Sequence, residues 1–476
     1  MASETEEFGP APHWMTLLGT TEQGGRDYAP EIEGVVPADL RGSLYRNGPG
    51  RFERGGYRIK HLLDGDGLIQ RLSFTDSGVR YQNAFVQTEK FVAEEAAGKR
   101  LQATWTTRKS DAFWENFGGG IERSQAGITI YPIHGRMIAR DEHGPSYAID
   151  PETLATGEHL PPLDMNVTYK AHSRIDPESG EWIAAGAKYG RTMHLHAEIY
   201  ERGFKLKRQL VAEAPRSVYF HDFLATKRFV IFVRHPCSLS PFPFLLGFKS
   251  FTDSLTWRAE DGNLIALMPR DGGPTRYFEA KGEYMWHGLN AHEDGENVVI
   301  DFVGFDEPDH FIGRDAFFSN IMQGRMGRAQ SAGKIRRYRI DLTQSTLAEE
   351  TLDAGNHEFP MVHWRDAMSR QRIGYFTRGG LGVFNTGLKR LDYESGQTRE
   401  FDFGAETHVG EPVFAEKPGG APGEGWLITQ CLDGRSERTF FAVFEAVAPD
   451  SGPVAKLWLG HAAPISFHGA WLSSGA

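Results

Sequence analysis

Four of the 18 histidines in this 476-residue chain have surroundings that suit metal binding. Three of them directly follow an aromatic residue, and two directly precede a glycine, which lets backbone approach a crowded centre. An imidazole buried among aromatic rings stays neutral, and neutral imidazole is the form that binds a metal. Four imidazoles without a carboxylate or thiolate would suit iron, copper or zinc. The candidate ligands are His172, His221, His287 and His468.

Their spacing leaves a second interpretation open. The four positions are separated by 49, 66 and 181 residues, and none lies in a local metal-binding motif. Four separate core histidines, each satisfied by a backbone carbonyl, would give the same spacing. The spacing also fits ligands that different structural elements bring to one axis.

Searches for other catalytic groups find little. Neither Cys237 nor Cys431 lies in a recognisable catalytic setting, and the chain has no G-x-S-x-G or H-E-x-x-H motif. We therefore expect no side-chain acid or base in catalysis. Two cysteines are too few for a disulfide framework and suit a reducing compartment, so we expect a cytoplasmic protein.

The elements that must position these histidines are short strands joined by tight turns. A recurring pattern places Asp after an apolar strand and before a Ser/Thr/Gly turn, where Asp caps the turn and Gly supplies a positive φ. Repeated hairpins without intervening helices favour the blades of a β-propeller, with a pair of β-sandwiches as the alternative. Copies of the pattern occur at residues 72–78, 147–157, 174–180, 338–343, 390–396 and 448–452.

Two further expectations concern organisation. No linker divides the chain, so we expect one domain over residues 1–476, with residues 1–30 as an extended N-terminal arm. One helix is expected at residues 89–97, capped by Thr88 and ended by Gly98.

Composition narrows the classes of partner. A net charge of −11 argues against a nucleic-acid surface. No apolar run approaches the roughly 20 residues that cross a bilayer. The longest candidate, residues 241–248, carries two prolines and is either a buried loop or an exposed patch that contacts a membrane or admits a lipophilic substrate.

The motifs around these residues resemble those of the carotenoid cleavage oxygenase family. The similarity runs through residues 40–50, 61–67, 171–176, 221–223, 286–291 and 466–469. It implies an all-β, seven-bladed β-propeller, with helices and long loops forming a dome over an axial Fe²⁺ site. By motif, the iron ligands would be His172, His221, His287 and His468. The resemblance also implies glutamates that hydrogen-bond three of these ligands, at Glu142, Glu358 and Glu411, which would fix the tautomer of each imidazole.

Within the family, the chain is most similar to the apocarotenoid 15,15′-oxygenase type. Stilbene-cleaving relatives carry a lysine where this chain has Asp141, which counts against a phenolic stilbene. Ile128 stands where relatives usually have a Thr beside the open iron position, so an apolar wall is kept and a hydroxyl is lost. The resemblance also implies an apolar patch for membrane contact and substrate access, made here of Phe242, Phe244, Leu245, Leu246 and Phe248.

The resulting hypothesis is a non-haem iron(II) dioxygenase that uses O₂ to cleave a conjugated C=C bond of an apolar substrate into two carbonyl products. An apocarotenoid is the first choice of substrate, and a stilbenoid or another aryl alkene is the alternative. Two other hypotheses are ester isomerohydrolysis without O₂ and a non-catalytic propeller that binds a lipophilic ligand. We expect peripheral membrane contact at most, and the sequence leaves the oligomeric state open.

Overall fold

Seven antiparallel sheets, each of four or more strands, are arranged as the blades of a β-propeller. The computed structural model describes residues 8–119, 125–421 and 423–474. The predicted seven-bladed propeller is confirmed, and the alternative of paired sandwiches is wrong.

Blade 1 closes the ring, because a strand near the C-terminal end of the described chain pairs with one near its start. In this pairing His468 lies opposite Asn47, and Ser473 lies opposite Gly42. From its outer to its inner edge, blade 1 consists of Asp27–Tyr28, Gly78–Phe85, Asp66–Thr75, Gly42–Arg51 and His468–Ser473.

Blades 2 to 4 follow in chain order and are given from their inner edge outwards. Blade 2 consists of Thr129–Ile133, Arg136–Arg140, Ser146–Ile149 and Thr156–Leu160. Blade 3 consists of Thr168–Tyr169 with Arg174–Ile175, then Trp182–Lys188, Met193–Glu201 and Lys205–Ala214. Blade 4 consists of Leu224–Ala225, Phe229–Arg234, Asn263–Pro269 and Arg276–Ala280.

Blades 5 to 7 complete the ring in the same direction. Blade 5 consists of Tyr284–Asp294, Asn297–Phe305, Lys334–Asp341 and Thr346–Asp353. Blade 6 consists of His357–Met361, Ile373–Arg378, Gly387–Asp392 and Thr398–Asp402. Blade 7 consists of Thr407–Val409 with Val413–Glu416, then Gly425–Asp433, Arg438–Glu445, Ala455–Trp458 and Glu31–Gly34. Two small ribbons lie outside the blades, Glu53–Arg54 with Tyr57–Arg58 and Cys237–Leu239 with Leu255–Trp257.

The predicted turn chemistry is present in the hairpins. The Asp176 carboxylate accepts the backbone N–H of Glu178 at 3.0 Å, and that of Asp341 accepts the N–H of Thr343 at 2.8 Å. Gly180, which ends one of these turns, has a φ of +71°. Local side-chain capping therefore fixes the hairpins from which the blades are built.

The helices are short and lie outside the blades. In the predicted helix, Glu89–Ala97, the Thr88 hydroxyl accepts the N–H of Phe91, and Gly98 ends it in the left-handed conformation, as expected. The expected N-terminal arm holds the helical turns His13–Thr16 and Leu17–Gly19, and buries Trp14 and Leu18. The remaining helical segments are Phe113–Asn116, Pro241–Leu245, Thr252–Ser254, Ala259–Asp261, Phe317–Asn320, Ile321–Gln323, Trp364–Asp366 and Pro449–Ser451.

Apolar clusters fill the spaces between neighbouring blades, because each sheet packs on both of its faces. Leu195 of blade 3 and Phe232 of blade 4 belong to one such cluster. A larger cluster joins the loops and short helices above one end of the axis, and we call this the dome. The dome includes Trp14, Leu18, Phe52, Trp105, Tyr219, Trp286, Phe311, Phe317, Phe318 and Phe467.

Candidate metal centre

The inner edges of four blades place the four histidines on the propeller axis. His468 is the first residue of the inner strand of blade 1, and His287 lies within that of blade 5. His172 lies between the two inner strands of blade 3, and His221 lies three residues before the inner strand of blade 4, Leu224–Ala225. The structure therefore brings together all four residues that the sequence singled out.

The four imidazoles converge on one point. One ring nitrogen from each lies within 4.8 Å of the others, and all four side chains are buried. The Nε2 atoms of His172 and His221 are 3.2 Å apart, and the buried Nε2 of His287 has no hydrogen-bond partner. Four imidazole nitrogens that converge at this spacing could hold a metal ion.

Three of the imidazoles hydrogen-bond a glutamate through Nδ1. His287 Nδ1 lies 2.7 Å from a carboxylate oxygen of Glu358, and His468 Nδ1 lies 2.8 Å from one of Glu411. His221 Nδ1 hydrogen-bonds Glu142. Such contacts fix the tautomer with Nε2 free and make the imidazole a better donor.

Two of these glutamates also face a buried cation. Lys170 Nζ lies 3.4 Å from Glu142, which also accepts the Tyr219 hydroxyl at 3.0 Å. Arg46, fully buried, donates to Glu411 at 2.9 Å. These cations help to lower the pKa of both carboxyls against the opposing effect of burial, so both stay ionised.

The electrostatic environment differs among the ligands. Burial holds the pKa of His172 well below its usual range, helped by the three neighbouring imidazoles. Burial also lowers the pKa of His468 to about 4, although Glu411 opposes it. For His287, burial likewise acts to lower the pKa, but the charge and hydrogen bond of Glu358 outweigh it and raise the pKa. Neutral His172 and His468 and the glutamate-paired His287 form a donor set that fits a divalent metal.

Asp222 ties the ligand-bearing blades 3, 4 and 5 together. This residue follows His221, and one of its carboxylate oxygens accepts both Arg174 Nη2 at 2.7 Å and the N–H of Gly288 at 2.9 Å. Arg174 is two residues beyond His172, and Gly288 directly follows His287. One carboxylate therefore links the three chain segments that carry His172, His221 and His287.

A small apolar cavity of about 50 Å³ faces the centre beneath the dome. Ile128 is buried in its wall, and its expected place beside an open metal position stays a prediction. Among the described residues of the wall, every side chain other than three of the histidines and Glu358 is apolar. The apolar lining residues are Leu63, Trp105, Ile128, Trp286, Phe318, Phe359, Val383, Phe384, Ile465 and Phe467.

A second cavity of about 240 Å³ lies on the other side of Trp105, which lines both spaces. Its wall is more polar and includes Asp141, Lys170 and Tyr219. Burial, reinforced by the charge of Glu142, raises the pKa of Asp141 to about 7. Sequence reasoning missed Lys170, although its position two residues before His172 was a usable signal.

The apolar segment at residues 241–248 is exposed rather than buried. Its side chains at Phe242, Leu245, Leu246 and Phe248 face solvent, with 74% of Phe242 exposed, whereas half-buried Phe244 lines the second cavity. Residues 113–117 extend the same surface, because the ring of Phe113 stacks on that of Phe248 at 5.0 Å. Sequence reasoning missed the exposed residues of that second segment, Phe113, Trp114 and Phe117.

Together, the fold and the site define a β-propeller with an axial four-histidine centre, suited to a metal and facing an apolar cavity. The sequence profile of the retinal pigment epithelial membrane protein (RPE65) family matches residues 20–473. The chain therefore belongs to the RPE65/carotenoid oxygenase family, which confirms the resemblance.

Relatives with known names are similar over nearly their whole length. Apocarotenoid-15,15′-oxygenase of Synechocystis is 27% identical over 96% of both chains. Isoeugenol monooxygenase of Pseudomonas putida is 28% identical over 93% of this chain and 94% of the relative. The crystal structure of cobalt-substituted Synechocystis ACO superposes with a TM-score of 0.90 at 26% identity, covering 98% of this chain and 100% of that one.

Proposed function

We propose that this protein is a non-haem iron(II) dioxygenase that cleaves a conjugated C=C bond of an apolar substrate, an apocarotenoid, into two carbonyl products. The observation that carries the proposal is the apolar cavity on the axis, into which three of the four converging imidazoles face. This pairing of an all-imidazole donor set with an apolar cavity suits an oxygenase acting on a hydrocarbon chain. The named relatives are oxygenases as well.

Different residues of this chain would hold the metal and position the substrate. His172, His221, His287 and His468 would hold the iron. The glutamates that face His221, His287 and His468 keep the Nε2 atoms of these three imidazoles free to bind it. Bound iron(II) would supply the activation of O₂. The apolar wall, including Ile128 and Phe467, positions one double bond of the substrate beside the centre and excludes water.

No proton transfer by a side chain is needed for this reaction. Within the described part of the cavity wall, the one carboxylate is Glu358, and it is engaged by His287 Nδ1 and by the N–H of Phe359.

A second candidate substrate class, aryl alkenes, is favoured by the cavity beyond Trp105. Its volume of about 240 Å³ suits a single ring, and Asp141, Lys170 and Tyr189 give it polar groups for a ring substituent. The similarity to isoeugenol monooxygenase points the same way.

We also propose that the exposed apolar surface of segments 113–117 and 241–248 touches a membrane and admits the substrate. Phe244 connects this surface to the second cavity, and Trp105 connects that cavity to the centre. No helix within residues 8–119, 125–421 or 423–474 is long and apolar enough to cross a membrane. We propose that the protein is cytoplasmic and attaches to the membrane peripherally through this surface.

The test begins with metal analysis of anaerobically purified protein, followed by O₂ uptake with apocarotenals, stilbenes and isoeugenol. We expect near-stoichiometric iron and uptake with an apocarotenal, with labelled oxygen recovered in the aldehyde products. Uptake with aryl alkenes alone would favour the second candidate. Iron without uptake would favour isomerohydrolysis, and a protein that retains no iron after reconstitution would contradict an iron enzyme and favour a non-catalytic binding propeller.

A further inference from the structure

His172 differs from the other three candidate ligands in its Nδ1 partner. His221, His287 and His468 each face a glutamate. The Nδ1 of His172 instead lies 3.3 Å from the hydroxyl oxygen of Tyr131. Within the described residues, this phenol is the one side-chain group that hydrogen-bonds the Nδ1 of His172.

Blade 2 holds the segment around His172 through three separate contacts. The Thr129 hydroxyl donates to the carbonyl of Ala171 at 2.9 Å. Arg140 Nη1 donates to the carbonyl of His172 at 3.4 Å and to the Ser173 hydroxyl at 3.0 Å. Since Thr129 and Tyr131 are two residues apart on one strand, their side chains lie on the same face. The backbone and the ring of His172 are thus fixed from one blade that supplies no histidine ligand.

We propose that Tyr131 is the positioning residue of His172. Its hydroxyl oxygen accepts the Nδ1–H of the imidazole and so directs the Nε2 lone pair at the metal. The inference rests on the proposed function to the extent that the four histidines must hold a metal.

Charge balance explains why a neutral group suits this position. Three glutamates already surround the centre, and two of them are offset by Lys170 and Arg46. A fourth carboxylate would add a further buried negative charge, which is costly without a partner. A tyrosine hydroxyl can accept a hydrogen bond without adding charge, so it suits this position.

Tyr131 also borders the same open space as His172. Its half-buried side chain lines an axial cavity of about 680 Å³ on which His172, His287 and His468 also border. Removal of the hydroxyl would leave Nδ1 without its protein partner and let water from this cavity take the position. Water is a less directional partner, so the orientation of the ring would loosen.

The test compares full-length wild-type protein with Tyr131→Phe, both loaded with Co²⁺. The readouts are the visible ligand-field spectrum of the cobalt and the rate of cobalt loss to a chelator, neither of which requires activity. We expect a changed spectrum and cobalt loss about 10-fold faster in Tyr131→Phe, in line with removal of other groups that orient metal ligands. The matched control is Tyr338→Phe, since Tyr338 is equally aromatic, is buried in blade 5 and accepts a hydrogen bond from Asn263.

The outcomes separate the inference from the proposed function. A Tyr131→Phe protein with the spectrum and release rate of wild type overturns the inference alone. So does an equal change in Tyr338→Phe, because that would reflect general loss of a buried hydroxyl. A wild-type protein that binds no cobalt and no iron overturns both.

Discussion

Two kinds of blade build the centre, and they contribute different atoms. Blades 1, 3, 4 and 5 carry the histidines on their inner edges. Blades 2, 6 and 7 carry no ligand there, and instead present oxygen atoms to the Nδ1 atoms of the ligands. Glu358 of blade 6 faces His287 of blade 5, and Glu411 of blade 7 faces His468 of blade 1.

Blade 2 departs from this one-to-one pattern. The loop after its second strand sends Glu142 to His221 of blade 4, and its inner strand sends Tyr131 to His172 of blade 3. The nitrogen donors define which ion can bind, whereas the oxygen partners on other blades determine how firmly each donor is oriented. Variants of the two kinds of blade should therefore fail in different ways.

The largest effect is expected from a ligand-bearing blade. His287→Ala should abolish metal binding and cleavage activity, because it removes one of the four ligands. The Nε2 of His287 has no hydrogen-bond partner, so the substitution breaks no other contact of that atom. Metal content by elemental analysis and O₂ uptake would measure this. His292→Ala, on the same inner strand, is the matched control and should retain both. Full activity in His287→Ala would break the assignment of the ligand set.

Variants of the orienting blades should weaken the centre without abolishing it. Glu358→Gln and Glu411→Gln should each lower metal affinity about 10- to 100-fold. Only Glu411→Gln leaves the buried Arg46 without its counter-charge, so it should also lower the free energy of unfolding by about 3–5 kcal/mol.

Chelator competition and urea unfolding separate these two effects. Equal stability of the two glutamine variants would contradict the role given to Arg46. Metal affinity as low as in His287→Ala would remove the distinction between the two kinds of blade.

Asp141 of blade 2 should make stability depend on pH. Its pKa rises from 3.8 to about 7 on burial, so the folded protein holds a proton that the unfolded chain releases in this range. The contribution of Asp141 to the free energy of unfolding is therefore greatest below pH 3.8 and falls as pH rises towards 7. Asp141→Asn should be more stable than wild type above pH 7, by at most about 4 kcal/mol, and should lose that advantage in acid. Unfolding curves of both proteins at pH 5 and pH 8 would measure this. The same difference in unfolding free energy at both pH values would contradict the prediction.

The smallest effect is expected from Ile128, which only lines the cavity. Ile128→Thr keeps the branched shape and adds a hydroxyl to an apolar wall, at a cost of about 1–3 kcal/mol if the hydroxyl stays unpaired. We expect unchanged metal content and a few-fold change in kcat/KM that differs among substrates. Loss of metal in this variant would mean that blade 2 supports the centre through its wall as well as through Glu142.

The sequence could predict the parts of the fold that depend on contacts between neighbouring residues. The helix at Glu89–Ala97 follows from Thr88 and Gly98, and the hairpins follow from aspartates such as Asp176, because these contacts join residues a few positions apart. The number of blades came from the family resemblance, since uneven insertions obscure the repeat.

The partners within the site were harder to predict, because they depend on which blades are neighbours. Tyr131 and His172 meet across 41 positions, and Arg46 and Glu411 meet across 365. Nothing in the pattern around Tyr131 distinguishes it from an ordinary strand tyrosine. The segment at residues 113–117 joins the patch only through loop packing, for which the sequence carries no periodic signal.

Closure of the ring has a consequence for how the protein matures. His468 begins the strand that joins blade 1, so it reaches the axis only when that strand pairs with Gly42–Arg51. In a chain synthesised from its N-terminus, the other three imidazoles can gather before this ligand has emerged from the ribosome. A metal bound by all four imidazoles would cross-link strands synthesised early to the strand synthesised last in blade 1. It would stabilise the closed ring by mass action.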